Sequence, residues 1–331
     1  MTATDAVIAT WFGEHRAFLW GLSYRLTGSA ADADDVVQDT FVRACKHAPN
    51  HLDDPRRWLM RVAINLGRDV LRRRKRRGYV GTWLPTPVDS DKDSAPSFEP
   101  VVEGGTLEGR YDVMESASLA FLQALEALTP TQRAVLLLRD VFDYSAAEVA
   151  SALATSEGNV RTVHHRARRA MHDYEGRRVL PTPVNRARTA RVLQHFVKLL
   201  AAHDVRGIER LLAADVKAVT DGGGEVTASL TPIVGVERVA RFFARLAGSR
   251  TGRIGVAYRS INQFPAAIFD FEPQAAGRRT QRLLLSVDVG PTGLIQSVRV
   301  IANSAKLAAL PSTRARTLRF VTLRDGRAFD S

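Results

Sequence analysis

The sequence predicts a multidomain protein: two all-α modules followed by an α+β domain with a curved sheet. Three observations carry that prediction. Residues 128–171, LTPTQRAVLLLRDVFDYSAAEVASALATSEGNVRTVHHRARRAM, read as two apolar helices, a tight polar turn and a third helix bearing Arg161, Arg166, Arg168 and Arg169. That is a helix-turn-helix with a basic reading helix, the arrangement that enters a DNA major groove. A second basic helix lies far upstream and ends in Arg72-Arg73-Arg74-Lys75-Arg76-Arg77, and a stretch rich in Pro, Ser, Gly and acid separates the two. After about residue 255 the chain changes to short runs with the period of strands.

The elements follow in order. Residues 5–80 read as helical, with Val7, Trp11, Phe18, Leu22 and Leu26 recurring at helical spacing as an inward face. Gly28-Ser29 breaks the pattern, and Ser29 or Asp32 suits the cap of the next helix. Within Asp34–Lys46, Val37, Phe41 and Ala44 share one face and Asp35, Gln38 and Asp39 another. The loop from Pro49 to Pro55 precedes a long helix that Pro55 opens, with Trp58, Leu59, Val62, Leu66 and Val70 as its buried stripe. Residues 81–111 read as a flexible acidic linker, 112–176 as the helix-turn-helix module and 177–188 as a shorter joint around Pro181-Thr182-Pro183. In 189–311, Arg191–Leu200, Arg206–Ala213 and Val234–Leu246 read as helices. Asp221-Gly222-Gly223-Gly224 is a turn, and Gly255–Ile261, Ala266–Phe271, Gln281–Val289 and Ile295–Ala302 are strands of an antiparallel sheet. The tail, 312–331, is basic and reads as loose.

Composition narrows the function. The 331 residues suffice for two or three domains, and 45% hydrophobic content excludes wholesale disorder. A net charge of +12 favours a polyanionic partner, nucleic acid before an anionic membrane, over a merely soluble basic surface. The single cysteine, Cys45, has no intrachain partner, and no Cys/His cluster has zinc spacing. No metal or cofactor is expected. The N-terminus lacks the pattern of a signal peptide, and no window reaches the ~20 apolar residues of a membrane span. A cytoplasmic location follows as an expectation.

The third helix of the helix-turn-helix has Thr155 or Ser156 at its cap. Val160, Val163, Ala167 and Ala170 face the scaffold, which leaves Arg161, His165, Arg168 and Arg169 outside. Arginines so placed fork onto guanine acceptors or hold phosphates; a solvated basic face is the plainer alternative. The upstream helix exposes Arg57, Arg61, Asn65, Arg68, Asp69 and Arg72. Trp58 and Asn65 suit unstacked bases, although Trp58 also lies on the apolar stripe and suits the core equally. The acidic face of Asp35, Gln38 and Asp39 suits a basic protein partner or plain solvent.

These residues resemble a known family. GSAADADDVVQDTFVRA with DPRRWLMRVAINLGRDVLRRRKRR is similar to region 2 of an extracytoplasmic-function (ECF) sigma factor of bacterial RNA polymerase, and the 128–171 stretch to its region 4. Tyr79-Val80-Gly81-Thr82-Trp83-Leu84-Pro85 and Asp221-Gly222-Gly223-Gly224 resemble the subgroup with a C-terminal SnoaL-like domain. The resemblance implies a promoter-recognising sigma factor with core RNA polymerase and promoter DNA as partners, regulated in cis by its C-terminal domain. It implies polymerase docking by Asp35, Gln38, Asp39 and Phe41. It implies minus-ten recognition by Asn50, Arg57, Trp58, Arg61, Asn65, Arg68, Asp69 and Arg72. It implies minus-thirty-five recognition by Ser156, Asn159, Arg161, His165, Arg166, Arg168 and Arg169. A regulatory contact falls on Asp221, Gly222, Gly223, Gly224, Asn303, Lys306 and Leu307.

Three positions depart from the family pattern. His164 replaces an aliphatic residue. Glu225 replaces the lysine after the glycines. Asn303-Ser304-Ala305-Lys306-Leu307 stands for Asn-Pro-Asp-Lys-Leu. SnoaL-like relatives include pocket enzymes, for which Asp270, Asp288, His195 and His203 are candidate acid/base groups. No His/Asp pairing stands out, and His195 reads as a core histidine, so no enzymatic role is expected. A small ligand in the C-terminal domain is kept as a candidate partner. The alternatives are a free-standing helix-turn-helix regulator with a ligand domain and, further off, a pocket enzyme.

Overall fold

The computed structural model describes residues 3–49, 52–91, 107–248, 253–272, 280–311 and 319–322. The chain forms two compact units. One comprises Met1–Gly78 and Pro96–Arg178; the other comprises Tyr79–Ala95 and Val179–Ser331.

The first unit is helical. Helix α1 (Ala3–Thr27) ends at Gly28, which takes φ 67°, a left-handed conformation glycine adopts without a Cβ penalty. Ser29 caps α2 (Ala30–His47) by accepting the backbone N–H of Asp32. Asp54 caps α3 (Pro55–Arg77), and Pro55 occupies the first turn, where a missing N–H costs nothing. Leu19, Leu22 and Leu26 of α1 meet Val36, Val37 and Phe41 of α2 and Leu59, Ala63 and Ile64 of α3 in a shared core. A Cβ on Gly67 would lie 2.6 Å from Leu26, so this glycine permits the close crossing of α1 and α3. The inward face of α1 differs from the expected one. Val7 is 46% exposed and Ile8 is buried in its place, whereas Trp11 and Phe18 are half-buried and Leu22 and Leu26 are buried as the spacing predicts.

The second half of this unit contains α4 (Leu107–Glu115), α5 (Leu119–Ala124), α6 (Pro130–Leu136), a π turn (Leu137–Val141), α7 (Ala146–Leu153), α8 (Glu157–Ala170) and the short α9 (His172–Glu175). Thr129 with Gln132 and Ser145 with Glu148 form reciprocal capping boxes at the starts of α6 and α7. Ala154 closes α7 in the left-handed region, and Ser156 caps α8. The two halves of the unit share buried polar contacts. Arg25, fully buried, donates to Ser116 Oγ (2.7 Å) and to the carbonyls of Val113 and Gly21. Arg133, also buried, donates to the carbonyls of Leu26 and Leu125 and to Glu126. Phe18 packs edge-on against Phe142, and Arg56 lies 4.2 Å over the Phe18 ring.

In the second unit, helices α10 (Pro183–Ala201), α11 (Val205–Leu211) and α12 (Val236–Gly248) cover a seven-stranded sheet. Its strands are β1 (Leu212–Asp221), β2 (Ile233–Val234), β3 (Arg253–Ile261), β4 (Phe264–Phe271), β5 (Arg282–Val289), β6 (Ile295–Ile301) and β7 (Arg319–Thr322), in the order β2-β1-β6-β5-β4-β3-β7. Register shifts in β1 and between Asp288 and Val289 mark bulges, which bend a sheet. Leu193, Phe196 and Phe243 fill the space over Val216, Leu285, Val287 and Val298. A short helix, α13 (Ser304–Leu307), comes after β6.

The four expected strands are present, as is the α+β class. Three differences stand out. Strand β1 is absent from the expectation, and it runs parallel to β6, so the sheet is mixed rather than antiparallel. Of the tail expected as loose, 319–322 pair with β3. The largest difference is the start of the expected flexible linker: residues 79–90 lie on the α+β domain. Ser90 donates to the Ser260 carbonyl, Asn262 donates to the Val88 carbonyl, and Asp89 forms a bridge with Ile261. The backbone edge at the β3–β4 turn supplies partners for this polar strap, which an unanchored linker would leave to water.

Candidate nucleic-acid and polymerase interfaces

Helix α8 buries Val160 and Ala167 and exposes Arg161, His165, Arg166, Arg168 and Arg169. Ser156 is its N-cap, and Asn159 donates to Thr155 Oγ1, so both sit at the exposed N-terminal turn with their side chains ordered. Arg161 pairs with Glu157 one turn back (2.7 Å). His164 is half-buried, and its Nε2 lies 2.6 Å from Asp140 of the π turn. The second carboxylate oxygen of Asp140 lies 3.8 Å from Arg168. Glu157 and Asp140 are residues that pattern reasoning passed over. Both are acids within or beside a basic face, and only the fold shows that Asp140 reaches α8.

On α3, Arg57, Arg61 and Arg72 are exposed, while Trp58, Asn65, Arg68 and Asp69 are half-buried. Arg72 pairs with Asp69 (2.8 Å). Arg68 points at Asn65 and donates to Thr131 of α6 (3.0 Å). Burial, with Arg72 nearby, lowers the Arg68 pKa from its ordinary value. Trp58 is thus neither fully core nor free. Asn50 lies outside the described residues. On α2, Asp35, Gln38 and Asp39 form an exposed acidic ridge, whereas Phe41 is buried edge-on against Phe12, 4.9 Å between ring centres. Phe41 therefore supports the ridge from below and does not line its surface.

Within the α+β unit, the C-terminal motif residues converge on the strap. Asp221, at the end of β1, has a fully buried carboxylate that accepts four groups. These are the Tyr79 hydroxyl (2.6 Å), the Gly223 N–H (3.0 Å), the Leu84 N–H (2.8 Å) and the Lys306 ammonium (2.6 Å). Lys306 also donates to the Leu84 carbonyl and sits 4.3 Å over the Trp83 ring and 5.0 Å over Tyr79. Asn303 caps α13 with its Oδ1 and donates from Nδ2 to the Tyr79 hydroxyl. Burial, reinforced by the bond to Asp221, pushes the Tyr79 hydroxyl well above its ordinary pKa and keeps it a neutral donor. Gly223, at φ 60°, passes so close to Asn303 that a Cβ would lie 2.2 Å from its amide nitrogen. Gly222 is similarly crowded by the Val226 carbonyl, Gly224 takes φ 75° in ordinary contact with Val80, and Leu307 is buried beside this cluster. Glu225 accepts from Ser304 Oγ (2.6 Å), so two of the departures from the family pattern face each other as a hydrogen bond.

Asp270, Asp288, His195 and His203 do not line the apolar cavity found among the described residues of the α+β unit. This cavity of about 60 Å³ lies between α10, α12 and β3–β5, lined by Val197, Leu200, Phe243, Ile254, Phe269 and Leu285 among other apolar side chains. Asp270 and Asp288 alternate with the residues facing it, and they pair with Arg282 (2.7 Å) and Arg299 (2.6 Å) on the opposite face of the sheet. His195 is exposed, contrary to the expectation of a core histidine, because α10 buries Leu193, Phe196, Val197 and Leu200 on the other side. His203 is half-buried at φ 53°, just after α10. No helix among the described residues is long and apolar enough to cross a membrane, and no cluster of potential metal ligands occurs among them.

Comparison with known proteins fits this geometry. Residues 11–77, spanning most of α1 and all of α2 and α3, match the model for Sigma-70 region 2, and residues 118–171, spanning α5–α8, match that for Sigma-70 region 4. The chain is 34% identical over 237 residues to the ECF RNA polymerase sigma factor SigJ of Mycobacterium tuberculosis, covering 70% of each chain. It is 34% identical over 225 residues to SigG of the same species, covering 61% of this chain and 58% of that one. The crystal structure of M. tuberculosis SigJ superposes with a TM-score of 0.66 at 27% identity, covering 92% of this chain and 99% of SigJ. The chain belongs to the ECF RNA polymerase sigma factors, and it carries a C-terminal SnoaL-like domain as an addition to the two sigma modules.

Proposed function

We propose that this sigma factor reads promoters through the exposed faces of α3 and α8 and captures core polymerase through the Asp35–Gln38–Asp39 ridge. We propose further that its SnoaL-like domain regulates it in cis by gripping the chain that leaves region 2. The observation that carries the regulatory part is the buried Asp221–Lys306 pair closed on Tyr79, Trp83 and Leu84. A fully buried acid is expensive unless it is paired and hydrogen-bonded. Here two of the four partners, the Tyr79 hydroxyl and the Leu84 N–H, come from the strap itself, so strap release would expose the pair.

The consequence is a matter of reach. The connection from Gly78 to Thr106 spans at most about 100 Å when fully extended, at about 3.4 Å per residue. With the strap held as far as Asp91, the remaining segment spans about half of that. The two promoter elements, about 25 base pairs apart by their names, are separated by roughly 85 Å at 3.4 Å per base pair. In the closed helical unit, by contrast, Arg68 of α3 touches Thr131 of α6, so region 2 and region 4 must separate to occupy both elements. Tether length then decides which spacings are served.

The test is transcription with core polymerase on promoters of graded spacer length. The wild-type chain is expected to initiate over a narrow range of spacers. Asp221→Asn combined with Lys306→Met is expected to widen that range by freeing the strap. Absence of any promoter-dependent transcript overturns the promoter reading, and an unchanged range overturns the regulatory one.

We read the SnoaL-like domain as a clamp. The side chains that line its cavity include no acid, base or hydrogen-bonding group, and Asp270 and Asp288 are each committed to an arginine. Any small ligand it takes would be compact and apolar, since a polar one would lose its hydrogen bonds to water without replacement.

A further inference from the structure

We propose that Asp140 is a positioning residue of the upstream-element interface: it fixes the roll of α8 through His164 and holds Arg168 in reserve until DNA arrives. The inference rests on the reading of α8 as the helix that enters the major groove.

The geometry begins in the helix before the helix-turn-helix. After α6 the backbone makes a π turn, with Phe142 N–H bonded to the Leu137 carbonyl (3.0 Å). This wider turn admits an extra residue relative to an α-helix and rotates the backbone downstream of it. Leu137, Leu138 and Val141 stay buried, while Asp140 is delivered to the side of α8. Its two oxygens then serve two side chains one helical turn apart: Oδ1 lies 2.6 Å from His164 Nε2, and Oδ2 lies 3.8 Å from Arg168 Nε.

The two interactions differ in character. The one with His164 is short and its imidazole is half-buried, so it acts as a strut between the scaffold helix and the reading helix, although Asp140 itself is exposed. A hydrocarbon in place of His164 would pack without direction, whereas the imidazole–carboxylate bond adds one fixed angle to the docking of α8. The one with Arg168 is longer and the guanidinium is largely exposed, so a phosphate or a guanine edge can take it over. Until then the carboxylate lowers the attraction of Arg168 for DNA of any sequence. Arg161 is held in the same way by Glu157, but on its own helix, where the pair cannot orient α8 against the scaffold.

Asp140 therefore weakens indiscriminate phosphate binding and favours duplexes on which α8 docks at the correct angle. Specificity gained by penalising the wrong partner is a general device.

The experiment uses the full chain assembled with core polymerase. A duplex pool randomised over the promoter is selected with the wild-type protein. Affinity is then measured for the selected duplex and for the same duplex scrambled upstream, from about 50 to 200 mM salt. Asp140→Asn keeps an acceptor for His164 but removes the charge. It is expected to tighten binding to the scrambled duplex about threefold and to steepen the log–log salt slope by nearly one, as one more phosphate contact would. The ratio between selected and scrambled duplexes is expected to fall. His164→Leu, which leaves Asp140 free to close on Arg168, is expected to weaken both duplexes. The double variant is expected to match Asp140→Asn in salt slope, because the competing charge is gone, but to lower the selected-to-scrambled ratio further, because the strut is lost, and Asp140→Glu is expected to keep the wild-type slope. If Asp140→Asn leaves slope and ratio unchanged, Asp140 is a packing residue only and the inference is overturned, whatever its effect on melting temperature. If the wild-type protein selects no upstream sequence at all, the assignment of α8 fails first and this inference falls with it.

Discussion

Glu115, at the end of α4, is the most perturbed carboxyl of the helical unit. Burial pushes its pKa up to about 8, against the pull of Arg178 and with further upward pressure from Glu175 and Asp112; Ser118 is its hydroxyl neighbour. The folded unit therefore keeps a proton that the unfolded chain releases near pH 4.5. Between about pH 4.5 and 8 the unfolded state binds fewer protons than the folded one, so this residue's contribution to stability is fully present below that window and is lost as pH rises through it. Glu115→Gln is expected to stabilise the protein by roughly 1–3 kcal/mol at pH 8 and by little at pH 4.5. Urea unfolding at the two pH values checks this, and an equal gain at both would show that the carboxyl is not the cause. Nothing in the sequence around Glu115 announces its burial. It lies just beyond the linker composition, in a segment whose helicity has a weak pattern, and its environment is made by residues distant in sequence.

The elements differ in how plainly the sequence declares them. Helices α2, α3, α7 and α8 carry apolar faces at helical spacing with Ser or Asp caps, and the faces proposed to bind DNA and polymerase are what those stripes leave over on α2, α3 and α8. The exposed ridge of Asp35, Gln38 and Asp39 and the open arginines of α8 are legible for that reason. Strand β1 is not. Its first residues, Leu212-Ala213-Ala214-Asp215, favour a helix and extend the pattern of α11, and its last four are all buried, so the two-residue alternation is confined to the short stretch Asp215–Ala218. Phe41 shares a helix with the ridge yet turns inward onto Phe12. Two predictions belong at this scale. Arg161→Ala, or Arg168→Ala, is expected to cost ~1–3 kcal/mol at the upstream element for each bidentate bond to a base that it removes, read by footprinting. Asp39→Ala is expected to weaken capture of core polymerase in a pulldown while leaving the thermal unfolding midpoint within a degree or two, since its side chain lies outside the core.

At the scale of the whole molecule, the sequence marks a composition change after region 2 and a second fold after region 4, and the fold has both. It does not show that residues 79–90 belong to the later fold. A polar, proline-containing stretch looks the same whether it is bare or pinned, and what pins it here is Asp221, more than a hundred residues away in the chain. The closed helical unit is likewise built on distant pairs. Arg25 and Arg133 donate to carbonyls and a hydroxyl of segments about ninety or more residues away, Ser116 and Val113 for Arg25 and Leu26 for Arg133. Arg133→Ala is expected to destabilise this unit by about 3 kcal/mol, because it strands the Leu26 carbonyl, removes one of the two donors to the Leu125 carbonyl and leaves Glu126 without its cation. Hydrogen exchange is expected to show the loss concentrated in α1 and α5–α6; uniform protection would contradict the assignment of Arg133 as a joint.

Trp83 sits beneath the ammonium of Lys306, whose carboxylate partner water does not reach. With Trp11, Trp20 and Trp58 replaced by phenylalanine, that indole becomes a built-in optical gauge. Its emission colour and its quenching by iodide then test, without any attached label, whether the strap lets go in the free chain.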